Sequence, residues 1–156
     1  MITTPEPDQT RVERVLSLTP EASELLTEYY ETTLIVRRDG PEVMQRLLDD
    51  PRSGMWVAFR AHAPAGCVVL KAGVPQLDVG ECKRLYVRPA FRRLGLAEAL
   101  MEALETHARQ VSLRSIYLDT QELFRASVGL YRGRGYAECA RYNDNPQATL
   151  FFCKQL

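Results

Sequence analysis

Apolar residues recur along this chain at two different spacings, and the changes between them predict the secondary-structure elements. A helix is predicted from Pro20, because Thr19 suits its cap and leucines and tyrosines follow at helical spacing. Short runs rich in Val, Phe and Tyr, bounded by Gly, Pro or Asn, predict strands. The predicted elements are, in chain order, a strand over 11–18, a helix from Pro20, a shorter helix from Pro41 to about 50, strands over 55–61, 65–73 and 81–87, a helix from about 94–97 to 110, a strand over 115–120, a helix over 122–135, and strands over 136–142 and 149–156.

The order of these elements predicts a single α/β domain with a mixed sheet. Consecutive strands in the first half favour antiparallel pairing, whereas the later strand–helix–strand segments favour a parallel crossover. A chain of 156 residues is long enough for one domain with a real hydrophobic core. We predict that residues 11–156 form this domain. Residues 1–10, where Pro5 and Pro7 stand among polar neighbours, are predicted to be a flexible tail.

Composition and charge argue against several classes of partner. Twenty Lys plus Arg balance twenty Asp plus Glu, so the net charge of 0 does not favour binding to nucleic acid or to an anionic membrane. The apolar runs are far shorter than the roughly 20 residues that span a bilayer. The first residues lack the basic-then-apolar pattern of a signal peptide. The four cysteines form no C-x-x-C pair, so we predict no metal site and a cytoplasmic location.

Basic and small residues crowd the start of the helix that begins near residue 94. Pro89 ends the preceding strand, and Arg92, Arg93 and Gly95 follow it. The first amides of a helix lack internal partners and lie at the positive end of its dipole, so they bind phosphate when no side chain obstructs them. The glycine leaves room for such an approach, and the arginines add forked donors. Two interpretations follow from the residues: a phosphate site, or an ordinary helix start with solvated arginines and a glycine turn.

Two segments of the chain together resemble the coenzyme A signature of the GNAT superfamily of N-acetyltransferases. The first signature is a strand ending in Val-x-Pro and then Arg/Gln-x-x-Gly-x-Gly/Ala, and residues 92–97 read RRLGLA. The second, Leu-Tyr-x-x-x-Gly-Phe/Tyr, is matched by LYRGRGY at 130–136. The resemblance covers about residues 80–140, and the order of elements fits from 11 to 156. The two motifs together are quite specific, whereas either alone would be weak.

The resemblance implies a mixed, mostly antiparallel central sheet that is flanked by helices and splayed at an acetyl-CoA site. Acetyl-CoA, the acyl-donor cosubstrate, would lie in a V between the strands at 81–87 and 115–120. Its pantetheine arm would bind, like an added strand, to the backbone of Leu85, Tyr86 and Val87. The backbone N–H of Val87 or a neighbour would face the developing oxyanion. The pyrophosphate would rest on the amides of Arg92, Arg93, Leu94, Gly95, Leu96 and Ala97.

Glu81 is the candidate general base. Acetyl transfer requires a neutral amine, and the resemblance to histone acetyltransferases of the superfamily implies a base at this position. We also expect Glu81, Lys83, Leu85 and Val87 to share one face of their strand, because alternate strand residues do. Two alternatives stay open: an exposed strand-end carboxylate paired with Lys83 or Arg84, and deprotonation of the amine through water.

Tyr131 is the candidate general acid that protonates the departing thiolate. Phe124, Val128 and Tyr131 fall at i, i+4 and i+7, which places this tyrosine on the core-facing stripe of its helix. A core tyrosine is therefore the alternative interpretation, although the match to the second family segment favours the acid. Relatives often carry an Asn where Phe124 stands, so the pantetheine arm must be held differently here.

Turn-forming residues fill the segment 141–147, RYNDNPQ. The simplest interpretation is a loop between the last two strands. In the GNAT superfamily this connection often borders the acceptor pocket, so Tyr142, Asn143 and Asp144 are candidate substrate contacts. His107 interrupts the apolar stripe of the long helix, and we predict a partly buried structural role for it.

These observations predict an acetyl-CoA-dependent N-acetyltransferase that moves an acetyl group to a primary amine by direct attack on the thioester. The acceptor would be a small-molecule amine or an amine of a peptide or protein. Two alternatives stay open: a non-catalytic acyl-CoA-binding or interaction module on the same fold, and an acyltransferase with a bulkier acyl group or a hydroxyl acceptor. Exposed final strands often pair between subunits in this superfamily, so the resemblance also allows a homodimer.

Overall fold

A computed structural model of the protein describes residues 9–156, which form a seven-stranded sheet with helices on both faces. The order of strands and helices confirms the predicted order. The predicted tail over 1–10 lies outside the described residues except for its last two, and Thr10 already belongs to the first strand. The elements are β1 Thr10–Val15, α1 Pro20–Thr33, α2 Pro41–Asp49, β2 Gly54–Arg60, β3 Ala63–Ala72, β4 Val79–Val87, a 3-10 turn Pro89–Phe91, α3 Leu96–Gln110, β5 Ser115–Thr120, α4 Arg125–Gly133, β6 Ala137–Glu138 and β7 Leu150–Gln155.

The sheet is mixed and mostly antiparallel, as predicted. Its strands lie in the order β1-β2-β3-β4-β5-β7-β6, and only the pairing of β4 with β5 is parallel. That parallel pairing involves Val79 to Glu81 of β4, although β4 continues to Val87 and β5 to Thr120. The two strands therefore separate beyond Glu81 and leave a V-shaped gap in the middle of the sheet.

Two hydrophobic clusters hold the helices against the two faces of the sheet. Helices α1 and α2 pack on one face, where Leu25 and Met44 meet Val69 of β3. Helices α3 and α4 pack on the other face, where Leu100 meets Val68 of the same strand. Neighbouring strand residues thus enter different clusters, because successive side chains of a strand point to opposite faces. The two clusters fix the helices on either side of the gap.

A β-bulge in β4 changes which of its side chains face each side of the sheet. The register between β3 and β4 shifts by one residue there, and Arg84 takes a φ of 60°. Beyond the bulge, Leu85 and Val87 pack against the α3 cluster. Before the bulge, Lys83 pairs with Val69, so the two side chains lie on the same face of the sheet. Val69 belongs to the cluster that packs against α1. The expectation that Glu81, Lys83, Leu85 and Val87 share one face is therefore wrong, because one extra residue breaks the two-residue period.

The segment predicted as a strand over 136–142 keeps strand structure only at Ala137–Glu138. The chain then leaves β7 and forms a long loop. The Arg141 guanidinium stabilises this loop by donating to three backbone carbonyls between residues 143 and 148. Side-chain oxygens of Asn143 and Asn145 accept from amides two residues later, as is usual for asparagine in turns. These local hydrogen bonds compete with strand pairing and carry the loop over the gap.

Candidate active site

A cleft of about 1130 Å³ follows the gap between β4 and β5. The start of α3, α4, α1, β4 and the loop before β7 all line it, and the start of α3 follows the end of β4 that is farther from Glu81. The side chain of Leu94 is exposed and does not line the cleft. The structure brings the other predicted site residues together around it, namely Glu81, Leu85, Tyr86, Val87, Arg92, Arg93, Gly95, Leu96, Ala97 and Tyr131.

Helix α3 begins at the cleft without a capping side chain. Gly95 is the residue before the helix and has a left-handed backbone, with φ of 79° and ψ of 11°. Among the described residues, the amides from Arg93 to Glu98 have no backbone acceptor, and Ala99 is the first to bond back into the turn, at 3.1 Å. A Cβ added at Gly95 would meet no atom within 4 Å. A row of unpaired amides with open space in front of it suits an anionic group such as phosphate.

Backbone groups at the end of β4 also face the gap. The amide of Arg88 donates to the carbonyl of Ala65 on β3 at 2.8 Å. Since successive strand residues direct their amides to opposite edges, the amide of Val87 is directed toward the gap. The carbonyl of Val87 accepts from Arg92 Nε at 3.0 Å, which ties this arginine to the end of the strand. The two terminal guanidinium nitrogens of Arg92 make no hydrogen bond within residues 9–156 and remain available.

Glu81 lies where β4 and β5 separate, and it is only 7% exposed. The Tyr142 hydroxyl donates to its Oε2 at 2.7 Å. Asn143 Nδ2 lies 3.4 Å from the same oxygen and 2.6 Å from Oδ2 of Asp119. Lys83 Nζ lies 3.8 Å from the other oxygen, Oε1. The carboxylate is therefore buried and hydrogen-bonded rather than exposed at a strand end, and the amide of Asn143 links it to a second carboxylate.

The loop before β7 supplies two of its three predicted site residues to this network. Tyr142 packs edge-to-face against Tyr117 and Phe151, with ring centroids 5.3 and 5.6 Å apart. Burial, and then the negative charge of Glu81, raise the pKa of the Tyr142 phenol, so it stays protonated and donates. Asp144 instead pairs with Arg37 at the surface, 3.0 Å away. The loop interpretation is thus correct, and the loop lies beside the cleft.

Sequence reasoning did not place Asp119 in the site. This residue follows the apolar part of β5 and lies beside the gap, where Asn143 and Asn145 donate to its two oxygens. The sequence signal that could have identified Asp119 is a carboxylate near the end of an otherwise buried strand. Lys83 and Arg84 also line the cleft. Burial, and then the charge of the neighbouring arginine, lower the pKa of the Lys83 ammonium group.

Tyr131 lies in the core and borders the cleft at the same time. It is 6% exposed, and its ring centroid lies 5.8 Å from that of Tyr136 and 6.3 Å from that of Phe152. Burial raises the pKa of the Tyr131 phenol well above its usual value, so the hydroxyl keeps its proton. The predicted core-facing position is confirmed. Phe124 also lines the cleft, immediately before α4, which begins at Arg125 rather than at 122.

Across residues 9–156, no three His, Cys, Asp or Glu side chains are grouped so that they could hold a metal ion. No helix in the same range is both long and apolar enough to cross a membrane.

Proteins that carry the name acetyltransferase are similar to this chain in sequence. An uncharacterized N-acetyltransferase of Schizosaccharomyces pombe is 35% identical over 106 residues, which are 67% of this chain and 64% of the relative. An amino-acid acetyltransferase of Pseudomonas putida strain GB-1 is 29% identical over 118 residues, which are 73% of this chain and 24% of the relative. The matched part of the chain thus spans less than two thirds of the length of these curated relatives.

The fold and a family match agree with these relatives. An acetyltransferase of the GNAT family from Staphylococcus aureus Mu50 superposes with a TM-score of 0.79 at 16% identity, over 94% of this chain and 99% of that chain. At this identity the likeness shows the shared fold. Residues 19–136 match the family described as Acetyltransferase (GNAT) family. Since that match covers well over half of the sequence, the chain belongs to the GNAT family of acetyltransferases.

Proposed function

We propose that the protein transfers an acetyl group from acetyl-CoA to a primary amine by direct attack of the amine on the thioester. The observation that carries this proposal is one cleft with two different ends. One end has a helix start suited to phosphate, and the other has the buried carboxylate of Glu81. The acyl donor has a part rich in phosphate, and the acceptor is an amine. The transfer therefore requires these two environments on opposite sides of the reacting carbon. Family membership supports the same reaction class.

In this proposal, acetyl-CoA lies along β4 within the gap. Its pantetheine arm takes the place of a neighbouring strand beside Leu85, Tyr86 and Val87, whose edge toward β5 is unpaired in the structure. The terminal nitrogens of Arg92 and the charge of Arg93 add attraction for the phosphates. The pyrophosphate binds the amides of Arg93, Leu94, Gly95, Leu96 and Ala97, whereas the predicted amide of Arg92 already donates to the carbonyl of Pro89 at 3.4 Å.

The reaction then needs one proton to leave nitrogen and one to reach sulfur. The neutral amine attacks the carbonyl carbon, the C–N bond forms, and the amide of Val87 donates to the developing oxyanion. The C–S bond breaks as the intermediate collapses to the N-acetyl product and the CoA thiol. Glu81 accepts the proton from nitrogen, directly or through water, and Tyr131 donates a proton to sulfur. Exchange with solvent returns both side chains to their starting states.

The network around Glu81 supports a positioning role for the loop before β7. Tyr142 and Asn143 both donate to Oε2, so this oxygen is occupied, and Oε1 is the one left for the acceptor. Two donors on one oxygen hold the carboxylate in a single orientation. The base would therefore meet the amine in a fixed geometry, which is what efficient proton transfer requires.

Thiol release tests the proposal directly. The purified protein is incubated with acetyl-CoA and a panel of primary amines, free thiol is measured, and the acetylated amine is identified by mass. Binding of CoA is measured by calorimetry on the same preparation. We expect amine-dependent thiol release together with CoA binding. Binding without release for every amine would instead identify a non-catalytic module, and faster release from a longer acyl thioester would identify a different acyl donor.

A further inference from the structure

Lys83 stands out on the α1 side of the cleft because its ammonium group has no hydrogen-bond partner within residues 9–156. Its side chain is 24% exposed, and its nearest counter-charge is Glu81 Oε1, 3.8 Å from Nζ. That separation is too long for a hydrogen bond. An ammonium group carries three donors, and withdrawing such a charge from water without hydrogen bonds is unfavourable. The position therefore suits a ligand that brings acceptors of its own.

The other cations on this side of the cleft already have partners. Arg84 Nη2 lies 3.1 Å from an oxygen of Asp39, and its Nε donates to the Tyr30 hydroxyl at 3.2 Å. Arg37 pairs with Asp144 at the surface. Lys83 faces the charge of Glu81 at 3.8 Å, but its three N–H donors are left for a bound molecule.

We propose that the acceptor is a free α-amino acid or a close analogue, whose carboxylate binds Lys83 while its amine lies at Glu81. This inference rests on the proposed function and names the acceptor class for that same site. Hydrogen bonds of about 2.9 Å would join the amine to the glutamate and the carboxylate to the lysine. Because Nζ and Oε1 are only 3.8 Å apart, the two groups of the acceptor must be close neighbours. An amine and a carboxylate on one carbon meet that condition.

The charges around the site also argue against other amines. A simple alkylamine would leave the Lys83 ammonium group without an acceptor. A polyamine would bring a second positive charge toward Lys83 and Arg84, which is unfavourable. The amino terminus of a peptide has an amide in place of the carboxylate and would lose the ion pair. A zwitterion matches both Glu81 and Lys83, so the site discriminates in favour of the free amino acid.

The experiment compares each standard L-amino acid with its own primary amide, using thiol release from acetyl-CoA. For the best substrate, wild-type kcat/KM should favour the acid over the amide by about 10- to 100-fold, the scale of one charged hydrogen bond. Lys83→Met should abolish this preference, mainly by raising KM for the acid. Lys83→Arg should retain much of it. Lys71→Met is the matched control, because Lys71 is an exposed lysine on β3 opposite Glu81 and does not line the cleft.

The outcomes separate this inference from the function on which it rests. Equal turnover of acid and amide by the wild type would overturn the carboxylate assignment and leave acetyl transfer intact. A folded Lys83→Met variant that keeps the full preference would do the same. Absence of thiol release with every acceptor, amino acids included, would reject the inference together with the proposed function. CoA binding by each variant shows that its cleft is still formed.

Discussion

A single carboxylate and a single phenol carry most of the proposed chemistry at the residue scale. Glu81 is the last residue of β4 that pairs with β5, so the strand holds its backbone while its side chain reaches the gap. Tyr131 reaches the same cleft from α4 while its ring packs in the core. Both side chains are buried and positioned by neighbours, which limits their motion. Their roles are tested by conservative substitutions that keep size and shape.

We expect Glu81→Gln to lower turnover with little change in acetyl-CoA affinity. The amide keeps the volume of the carboxylate but cannot accept the proton from the amine, and general base catalysis typically contributes about 10²- to 10⁴-fold. The loss should be greatest near neutral pH, where the acceptor amine is mostly protonated. Measurement of kcat against pH checks this. Glu138→Gln is the control, because Glu138 is an exposed carboxylate outside the cleft. If Glu81→Gln keeps the full rate across pH, water rather than Glu81 accepts the proton from the amine.

We expect Tyr131→Phe to lower turnover by about 10²-fold, the lower end for general acid catalysis. A thiol has a pKa near 8.5 and an ordinary tyrosine about 10, and burial raises the pKa of Tyr131 further, so complete proton transfer to free thiolate is uphill. The phenol can therefore help only by sharing its proton while the C–S bond breaks.

The melting temperature and turnover are measured on one preparation of Tyr131→Phe. CoA affinity and melting temperature should barely change, because phenylalanine keeps nearly all of the packing. Tyr136→Phe is the control, since its ring packs against Tyr131 but does not line the cleft. A destabilised but fully active Tyr131→Phe protein would assign this tyrosine to the core alone.

At the scale of elements, the start of α3 and the bulge in β4 shape the cleft. The helix start leaves a row of amides without backbone acceptors, because no side chain caps it. The bulge at Arg84 turns Leu85 and Val87 toward the α3 cluster, so alternate side chains of β4 face different sides of the sheet before and after Arg84. The helix start and the bulge each shape part of the cleft. Each depends on one residue with positive φ, which is Gly95 at the helix start and Arg84 in the bulge.

We expect Gly95→Glu to abolish CoA binding in a protein that still folds. The new side chain would enter the open space before the helix amides and bring negative charge to the place where phosphate is proposed to bind. The left-handed backbone adds a cost of about 1–2 kcal/mol for any residue with a Cβ. Gly135→Glu, at another glycine with positive φ that does not line the cleft, controls for that cost. Unchanged CoA affinity in calorimetry would remove the basis of the phosphate assignment.

At the scale of the whole molecule, we expect the contact between α3 and the loop before β2 to make stability depend on pH. His107 is buried as predicted, with Nε2 3.2 Å from the carbonyl of Arg52 and its ring edge-to-face with Trp56. Burial, and then the charge of Arg14, lower the pKa of this histidine. The unfolded chain therefore binds a proton more readily than the folded protein. The folded protein is therefore most stable above about pH 6.5, and this stability is lost as pH falls from there through the lowered pKa of the folded protein.

We therefore expect the free energy of unfolding to fall when the pH is lowered from 7.5 to 5.5. The fall should not exceed about 1.4 kcal/mol per unit of pKa difference for this one group. His107→Gln should show a smaller fall over the same window, because it has no proton to take up. Urea unfolding at the two pH values measures both proteins. Equal falls in wild type and variant would assign the acid sensitivity to other groups.

Local patterns in the sequence determined the order of the elements, the class of the sheet and the residues at the start of α3. Amphipathic spacing, proline and glycine each affect the backbone within a few residues. A short stretch of sequence is therefore enough to predict these features. The motif at 92–97 is of the same kind, since a helix start and its amides are consecutive in the chain. For these features the sequence was sufficient, apart from element boundaries such as the late start of α4.

Only the tertiary structure decided the bulge, the gap and the surroundings of Glu81. The bulge depends on how β4 pairs with β3, and a one-residue shift in register leaves no periodic signal in β4 alone. Tyr142 meets Glu81 across 61 residues, and Asn143 joins that carboxylate to Asp119 on another strand. Such contacts exist because β5 and β7 are neighbours in the sheet and the loop before β7 crosses the gap. Hydrogen bonds between distant residues follow from the position of the strands in space, and that position is set by the packing of the whole domain.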